Sequence, residues 1–324
     1  MITILGAGGA ISNELVKILV AKKQPFRLVG RNPRTVPGAT ETVAADLTDR
    51  VQTIQAVAGG SNVVLLLAGL KYDHKVWQEM WPRITSNTIE ACKRAGAKLI
   101  FFDNVYMYGR VSGPMTEETP FNPCSRKGEV RSKIATEFIN EWKAGSLTGM
   151  IARSADFYGH DAHNGIPNVL VFEPLSTKQK ASWLVNDSVP HSFTYTPDAA
   201  QSLVQLAERP TAWNQTWHVP TTPHPLTGKE LVALAAKELG VAPTHRVLNR
   251  PMIRIAGWFN PLVAESYEML YQYDSPYLFD SGKFAREFGF AGTSYPDGIR
   301  ATAASYKGAA LVAKIATRSA NTPK

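Results

Sequence analysis

The first twelve residues, MITILGAGGAIS (residues 1–12), decide the fold class of this chain. Residues 2–5 form a short apolar run typical of a buried strand, and an amphipathic helical pattern follows the glycines. Glycines at such a turn let the chain bend sharply and let backbone N–H groups approach a phosphate at the positive end of the helix. The segment therefore predicts a strand–turn–helix unit that binds the pyrophosphate of a dinucleotide. The residues predicted to contact the cofactor here are Gly6, Gly8, Gly9, Ala10 and Ile11.

The spacing of these glycines fits only one register of the dinucleotide pattern. Gly6 and Gly9 match G-x-x-G-x-x-G, with Ser12 in the third glycine position. The alternative, G-x-G-x-x-G read through Gly8, places Ile11 where a glycine is required. Serine is small enough for close packing of helix on strand, so the first register is retained.

The rest of the chain to about residue 153 alternates apolar strand runs with helical stretches. The predicted strands are residues 2–5, 26–29, 42–45, 63–67, 99–102 and 150–153. This alternation is typical of an α/β fold, a Rossmann-type doubly wound parallel sheet with helices on both faces. We expect residues 1–154 to form this dinucleotide-binding domain, with 192–212 packing back on it. Residues 155–191 and 213–300 are expected to form a smaller C-terminal substrate domain, followed by a basic tail at 308–324.

Composition and charge exclude several classes of protein. Hydrophobic residues make up 44% and charged residues 19%, as in a packed globular protein. The net charge is +8, but five basic residues follow Asp297 with no acid among them, and without them the balance is +3. Because the surplus lies at one end, a nucleic-acid partner is not expected. The longest apolar run, residues 63–70, is too short to span a bilayer, so no membrane partner is expected either.

The two cysteines, Cys92 and Cys124, indicate a reducing compartment. They are far apart and in no metal-ligand spacing, so neither a disulfide framework nor a metal site is predicted. The expected location is the cytoplasm. Cys124 is interpreted as an ordinary loop cysteine, and His160 and His163 as polar pocket lining or surface.

The end of the second strand, LVGR (residues 28–31), bears on cofactor choice. NAD-specific proteins usually have an acidic residue here for the ribose 2′-hydroxyl, and none occurs before Glu41. Arg31 can instead pair with a 2′-phosphate, which favours NADP over NAD. The alternative is that Arg31 is a solvated turn residue.

Several later motifs have the order and spacing of a known superfamily. They are Asp46-Leu47 after the third strand, residues 104–109 (NVYMYG) after the fifth, Ser132-Lys133-x-x-x-Glu137 on the next helix, residues 153–159 (RSADFYG) and residues 192–200 (SFTYTPDAA). With the glycine turn they resemble the extended short-chain dehydrogenase/reductase superfamily, which includes nucleotide-sugar epimerases and dehydratases. The resemblance covers nearly the whole chain.

This resemblance implies a seven-stranded sheet domain and assigns further cofactor contacts. Asp46, with Leu47, would lie beside the adenine. Ala68 and Gly69 would lie beside the cofactor after the fourth strand, and Lys133 beside the nicotinamide ribose.

Two departures from the family fall on catalytic positions. The family has a Ser or Thr four residues before the Tyr of its V-Y-G motif and a Tyr four residues before the helix Lys, whereas this chain has Asn104 and Glu129 there. Glu129 is interpreted as an ion-pair partner of Lys133 rather than as an acid. Tyr106 or Tyr108 is therefore the predicted proton donor, with Asn104 orienting the substrate.

The substrate cleft is expected between the carboxyl ends of the strands and the C-terminal module, lined by residues 104–108 and 156–158. Asn168 resembles the position by which sugar-nucleotide enzymes hold a diphosphate. The arginine expected before residue 193 is absent, and His191-Ser192 stand there. A nucleotide-sugar substrate is therefore less firmly predicted than the fold.

Three functions remain open on the sequence alone. The first is an NADP-dependent oxidoreductase or epimerase-like enzyme acting on a small molecule with an altered catalytic set. The second is a redox-sensing or regulatory protein that binds NADP without turning it over, and the third is a cofactor-bound, RNA-associated protein. A homodimer is left open as the assembly.

Overall fold

The computed structural model describes residues 1–320, with side chains described through residue 308. The strands are β1 (Ile2–Leu5), β2 (Phe26–Gly30), β3 (Glu41–Ala44), β4 (Val63–Leu66), β5 (Lys98–Asp103), β6 (Pro114–Met115), β7 (Gly149–Arg153), β8 (Asp156–Tyr158), β9 (Ala181–Leu184), β10 (Pro190–His191), β11 (Phe193–Tyr195), β12 (Thr216–His218), β13 (Leu226–Thr227), β14 (His245–Leu248) and β15 (Leu278–Phe279). The α-helices are α1 (Ala10–Ala21), α2 (Arg50–Val57), α3 (His74–Ala95), α4 (Arg126–Lys143), α5 (Glu173–Ser176), α6 (Thr196–Glu208), α7 (Gly228–Leu239), α8 (Arg250–Gly257), α9 (Pro261–Ser266), α10 (Gly282–Phe288) and α11 (Tyr295–Ala320). Shorter helical segments are Tyr106–Tyr108, Asn168–Phe172, Pro210–Ala212 and Tyr267–Tyr273.

Seven parallel strands form one sheet in the order β12-β7-β5-β4-β1-β2-β3. Ile4 of β1 pairs with Leu28 of β2 on one side and with Leu65 of β4 on the other. The direction of winding reverses between β1 and β4, and ligands of open α/β sheets bind at such a switch point. The predicted Rossmann-type doubly wound fold is thus confirmed, and the glycine turn lies at the switch point.

Helices cover both faces of this sheet. On one face α2, α3 and α4 enclose a core that includes Ile84, Ile134 and Phe138. On the other face α1 packs against α6, with Leu15 and Leu203 in the core. This double cover explains why the central strands are apolar throughout instead of alternating.

The C-terminal module is built around Trp183, with α7 and α11 packed together over two-stranded pairs. β12 leaves this module and becomes the edge strand of the main sheet. Trp217 of β12 and Phe284 of α10 share the core cluster of the sheet domain. Part of residues 213–300, predicted wholly for the substrate domain, therefore packs with the sheet.

Two helical regions of the C-terminal module bear on the site and on the predicted tail. Residues 261–273 are helical in two parts, α9 and the 3-10 segment Tyr267–Tyr273. At the junction the carbonyl of Glu265 accepts a hydrogen bond from Lys127 Nζ, which competes with regular helical bonding. Helix α11 extends to Ala320, so the predicted basic tail, residues 308–324, is helical at first, and residues 321–324 lie outside the described residues.

Within residues 1–320, none of the helices is both long and apolar enough to cross a bilayer.

Candidate nucleotide-binding site and catalytic cleft

The glycine turn after β1 leaves room for a ligand on one side and none on the other. Gly6 has φ +106°, and a Cβ there would lie 2.5 Å from the backbone nitrogen of Ala68. Gly8, at φ +91°, and Gly9 are exposed, and a Cβ on either would meet no atom within 4 Å. Gly6 therefore closes the turn against the end of β4, while Gly8 and Gly9 border open space.

The N-terminus of α1 faces this open space without a protein cap. Gly9 is the N-cap residue, in an extended conformation, and no side chain accepts a hydrogen bond from the first turn. The buried hydroxyl of Ser12 also has no hydrogen-bond partner within the described residues. Unpaired N–H groups at a helix N-terminus form a binding site for anions. These residues fit a pyrophosphate, as the glycine spacing predicts.

Arg31 and Asp46 follow the ends of β2 and β3, beside this turn. Two hydrogen bonds from Thr48, at 2.9 and 2.8 Å, lower the pKa of the Asp46 carboxyl, and the charge of Arg31 lowers it further. Arg31 is exposed, whereas Leu47 is buried in the sheet core. Arg31 therefore stands near Asp46 with its guanidinium accessible to a ligand.

Helix α4 presents different residues to the cleft from those predicted. Lys133 and Glu129 are exposed on its outer face, whereas Lys127 and Arg131 are buried. Residues two apart lie about 200° apart around a helix, so Arg131 and Lys133 cannot share a face. Lys133, predicted to lie beside the nicotinamide ribose, is therefore on the opposite face of α4 from the buried Arg131. Lys127 and Arg131 have the i, i+4 spacing of the family's Tyr and Lys, two residues earlier in the helix than the predicted pair.

Lys127 is fully enclosed by the C-terminal module. Its Nζ lies 2.6 Å from a carboxylate oxygen of Glu265 and 2.9 Å from one of Glu268, and it stands 4.6 Å from the ring centre of Tyr72. Burial opposes ionisation of Glu265, but hydrogen bonds from Lys127 and His74 lower its pKa to about 2. Lys127 is thus a neutralised structural cation that joins α4 to α9.

Arg131 is held in the sheet core. Its Nη1 lies 3.2 Å from Asp103 at the end of β5, and its guanidinium lies 4.0 Å from the ring centre of Trp81. Asp103 also has Arg153 as a neighbour, with Nε at 3.7 Å. Arg131 therefore contacts the Asp103 carboxylate and the Trp81 ring.

Tyr108, one of the two predicted proton donors, belongs to a buried hydrogen-bond chain. Its hydroxyl accepts a bond from Arg153 Nη1 at 2.7 Å and pairs with His218 Nε2 at 2.9 Å. Burial lowers the pKa of His218 to about 3, and its Nδ1 donates to the carbonyl of Asp280. His218 is therefore neutral, and its Nε2 accepts a hydrogen bond from the Tyr108 hydroxyl. Both hydrogen-bonding roles of this phenol are filled, which leaves it none for a substrate.

Tyr106, the other predicted donor, is half-buried beside the cleft. Its backbone N–H donates to the side-chain oxygen of Asn104 at 3.0 Å, and its ring stacks on Trp77 with centroids 6.1 Å apart. Burial, and then the charge of Asp156, raises the pKa of the Tyr106 phenol above its ordinary value, although the neighbouring Tyr72 phenol opposes this. Tyr106 therefore keeps its proton throughout the neutral range.

Asp156, at the start of β8, is near enough to Tyr106 for its charge to raise the pKa of that phenol. One carboxylate oxygen accepts a hydrogen bond from Tyr273 at 2.8 Å and pairs with His191 Nε2 at 3.0 Å. The His191 ring stacks on Tyr277 and Tyr273, with centroids 4.3 and 4.6 Å away. The sequence predicts Asp156 as a residue of the cleft but does not predict the aromatic residues around it. Those residues come from the C-terminal module and are distant from Asp156 in sequence.

Asn168 is turned inward. Its amide donates to the carbonyl of Gly159 at 2.8 Å and accepts from the N–H of the same residue. It is 2% exposed. It therefore fixes the loop after β8 and is not open to a diphosphate in this structure.

One group of side chains within the described residues has a metal-like arrangement, Asp73, His74 and Glu265. Cations already contact it: Lys127 bonds Glu265, and Arg126 Nη1 lies 2.9 Å from His74 Nε2. A metal ion would compete with these positive charges, so the group acts as an ion-pair network.

Solved structures confirm the architecture. UDP-glucose 4-epimerase of Thermus thermophilus, in complex with NAD, is 17% identical, with a TM-score of 0.77 over 95% of this chain and 99% of that one. The dTDP-glucose 4,6-dehydratase DesIV of Streptomyces venezuelae, a double mutant with NAD bound, is 18% identical, with a TM-score of 0.77 over 95% and 97%. MoeE5 in complex with UDP-glucuronic acid and NAD is 17% identical, with a TM-score of 0.74 over 95% and 99%. At these identities the likeness shows the fold alone.

Sequence comparison identifies the family. No curated protein matches this sequence significantly. The pattern of the NAD dependent epimerase/dehydratase family matches residues 2–218, about two thirds of the chain. This match confirms the resemblance drawn from the motifs: the chain belongs to the NAD dependent epimerase/dehydratase family.

Proposed function

We propose that this protein is an NADP-dependent oxidoreductase or epimerase-like enzyme that acts on a small molecule with an altered catalytic set. The observation that supports it most is the open glycine turn. Gly8 and Gly9 border empty space in front of an uncapped helix, at the carboxyl end of β1.

The cofactor would lie along the carboxyl ends of β1, β2 and β4. The pyrophosphate fits the N–H groups of Gly8, Gly9, Ala10 and Ile11, because these begin α1 without a side-chain cap. Ala68 and Gly69 would border the nicotinamide half, and Asp46 with Leu47 the adenine. When bound, the cofactor supplies hydride transfer, and the protein's residues position the reactants.

NADP is preferred in this proposal because of Arg31. Its guanidinium is exposed after β2, and bidentate contact with a phosphate is a strong charge-assisted interaction. Asp46, which could receive a ribose hydroxyl, is already held by Thr48. The similar structures contain NAD, so the preference for NADP rests on this chain's own residues.

Tyr106 is the proposed proton donor, and Asn104 positions it. The raised pKa keeps the Tyr106 phenol protonated at neutral pH, so it can donate a hydrogen bond to a substrate oxygen but is unsuited to a base that is ionised at rest. Glu129 and Lys133 are excluded from this set because α4 turns both outward. Asp156, held by His191 and Tyr273, would accept a hydrogen bond from the substrate.

Sugar nucleotides are the first substrates to test. MoeE5 was solved with UDP-glucuronic acid, and DesIV is a dTDP-glucose dehydratase. The inward Asn168 and the carboxylate of Asp156 are unfavourable to a diphosphate in this cleft. Simple carbonyl compounds and enones therefore form the second panel.

A second candidate is an NADP-binding regulatory protein without turnover. The observation that favours it is the neutralisation of Lys127 and Arg131 by carboxylates. In the family's usual mechanism a lysine lowers the pKa of the catalytic tyrosine, and here both cations on the inner face of α4 are already paired.

The test is NADPH consumption against both panels, measured by absorbance, with the parent protein and matched variants. Enzyme function predicts that Tyr106→Phe loses at least about a hundredfold in turnover, while Glu129→Gln retains it. Saturable NADPH binding with no turnover on any compound would favour the regulatory candidate. If Glu129→Gln loses turnover and Tyr106→Phe retains it, the carboxylate performs the proton transfer.

A further inference from the structure

An unpartnered apolar face lies on the hairpin formed by α8 and α9. The hairpin is closed by Gly257, where a Cβ would lie 3.1 Å from the Cα of Ala264. Its turn, Trp258 to Asn260, forms the tip. Trp258 is 76% exposed and Phe259 84%, the largest exposures among the large apolar side chains of the described residues.

The exposed apolar residues follow one helical stripe. Met252, Ile255, Ala256 and Phe259 have the i, i+3, i+4, i+7 spacing of a single face, and all are exposed. Leu262, at the start of α9, extends this face and is 56% exposed. A continuous apolar surface of this kind on a folded protein marks an interaction site.

The tip is a defined structure. Asn249 caps α8 by accepting the N–H of Met252 at 3.0 Å, and Asn260 caps α9 by accepting the N–H of Leu262 at 2.9 Å. Backbone hydrogen bonds also hold Trp258 and Phe259 to the last turn of α8. The aromatic side chains are thus projected outward by a capped turn.

The one acid of the hairpin, Glu265 in α9, is paired with Lys127, so the exposed charge of the hairpin is basic. Residues 240–264 contain three arginines and no Asp or Glu. Arg250 is paired with Asp274, whereas Arg254 is exposed on α8 itself, 5.3 Å from the ring centre of Tyr267. An apolar tip with Trp and Phe, flanked by an exposed arginine on a hairpin whose one acid is paired, is complementary to anionic lipid headgroups over an acyl layer.

We propose that the α8–α9 hairpin docks this protein on an anionic membrane surface, with Trp258 and Phe259 entering the interface. This contact is peripheral and does not span the bilayer. It differs from the expectation of no membrane partner, which rested only on the absence of a long apolar run. Glu265 lies in α9 and Glu268 in the 3-10 segment that follows it, and both bind Lys127. A docked hairpin would place the catalytic cleft next to the bilayer.

The test is sedimentation of the full-length protein with vesicles of phosphatidylcholine containing phosphatidylglycerol, and with vesicles of phosphatidylcholine alone. The expected result is partitioning at least about tenfold stronger into the anionic vesicles, and weaker as salt is raised. The double variant Trp258→Ser, Phe259→Ser is expected to lose about tenfold or more. Val51→Ser is the matched control, since Val51 is 57% exposed on α2, away from the hairpin.

Far-UV circular dichroism and the thermal unfolding midpoint check that the double variant remains folded, which its exposed positions predict. Absence of binding to anionic vesicles, equal binding to neutral vesicles, or unchanged binding of the folded double variant would overturn the proposal. A dimeric mass in light scattering that becomes monomeric only in the double variant, without vesicle binding, would also overturn it and assign the face to a second copy of this chain.

Discussion

Replacing His218 with Gln tests the buried chain that holds Tyr108. His218 links Tyr108 to the Asp280 carbonyl through its two ring nitrogens, at 2.9 and 2.8 Å. Burial is the main reason that its pKa falls to about 3, and the charge of Arg153 contributes. Gln can replace only one of the two contacts and does not titrate. At about pH 8 the substitution should cost about 1–3 kcal/mol of unfolding free energy.

The pH dependence follows from the same pKa. The folded protein holds His218 neutral down to about pH 3, whereas the unfolded chain takes up a proton below about pH 6.5. Between these values the unfolded state binds more protons, so this group's contribution to stability falls as pH falls. At about pH 5 the contribution of His218 to the unfolding free energy of the parent should be about 2 kcal/mol smaller than at pH 8. This pH lies about 1.5 units below the unfolded-state pKa, and each unit is worth about 1.4 kcal/mol.

The assay is urea unfolding of parent and His218→Gln at about pH 8 and pH 5. The difference in unfolding free energy between the two proteins should be about 2 kcal/mol smaller at the lower pH, because only the parent has His218 to protonate. Other titrating groups are common to both proteins and cancel in the difference. His224→Gln is the matched control, since His224 is exposed. A gap that stays constant over this range would refute the neutral buried histidine, and with it the structural role given to Tyr108.

Three further substitutions test the turn and α4. Gly6→Ala places a Cβ at φ +106° against Ala68 and should lower stability by about 2 kcal/mol or more, measured by thermal unfolding; an unchanged midpoint would contradict the close approach. Lys127→Met removes the buried cation that Glu265 and Glu268 share and should cost about 3–5 kcal/mol, in the same assay; a neutral effect would show that the ion cluster is not needed. Lys133→Met should leave both NADPH affinity and stability within about 0.5 kcal/mol of the parent, and a large loss of affinity would return Lys133 to the cofactor site.

The sequence predicts the sheet domain well because its signals are local. The glycine turn follows its strand directly, and the central strands are apolar on both faces, so neither prediction depends on distant residues. Gly6 shows the physical basis: its positive φ and its closeness to Ala68 leave no space for a side chain.

The catalytic region is predicted less well because its contacts are distant in sequence. The sequence does not identify the buried face of α4, because Lys127 and Arg131 are charged residues at buried positions, where apolar residues are expected. Only the partners from distant segments, Glu265 and Asp103, explain these buried cations. The structural role of Tyr108 could not be predicted for the same reason, because its partner His218 is 110 residues away in sequence. The inner face of α4 is identified in the structure by its buried residues, which recur at helical spacing from Lys127 to Phe138.

The central claim is that the glycine turn and Arg31 form an NADP site. The most direct measurement is an equilibrium titration of the full-length protein with NADPH and with NADH, followed by cofactor fluorescence, for the parent and for Arg31→Ala. We predict saturable binding of both, tighter for NADPH, and loss of that preference in Arg31→Ala through weaker NADPH binding. Absence of saturable binding by either cofactor would contradict the assignment of the turn, and equal affinity of the parent for both would contradict the role of Arg31.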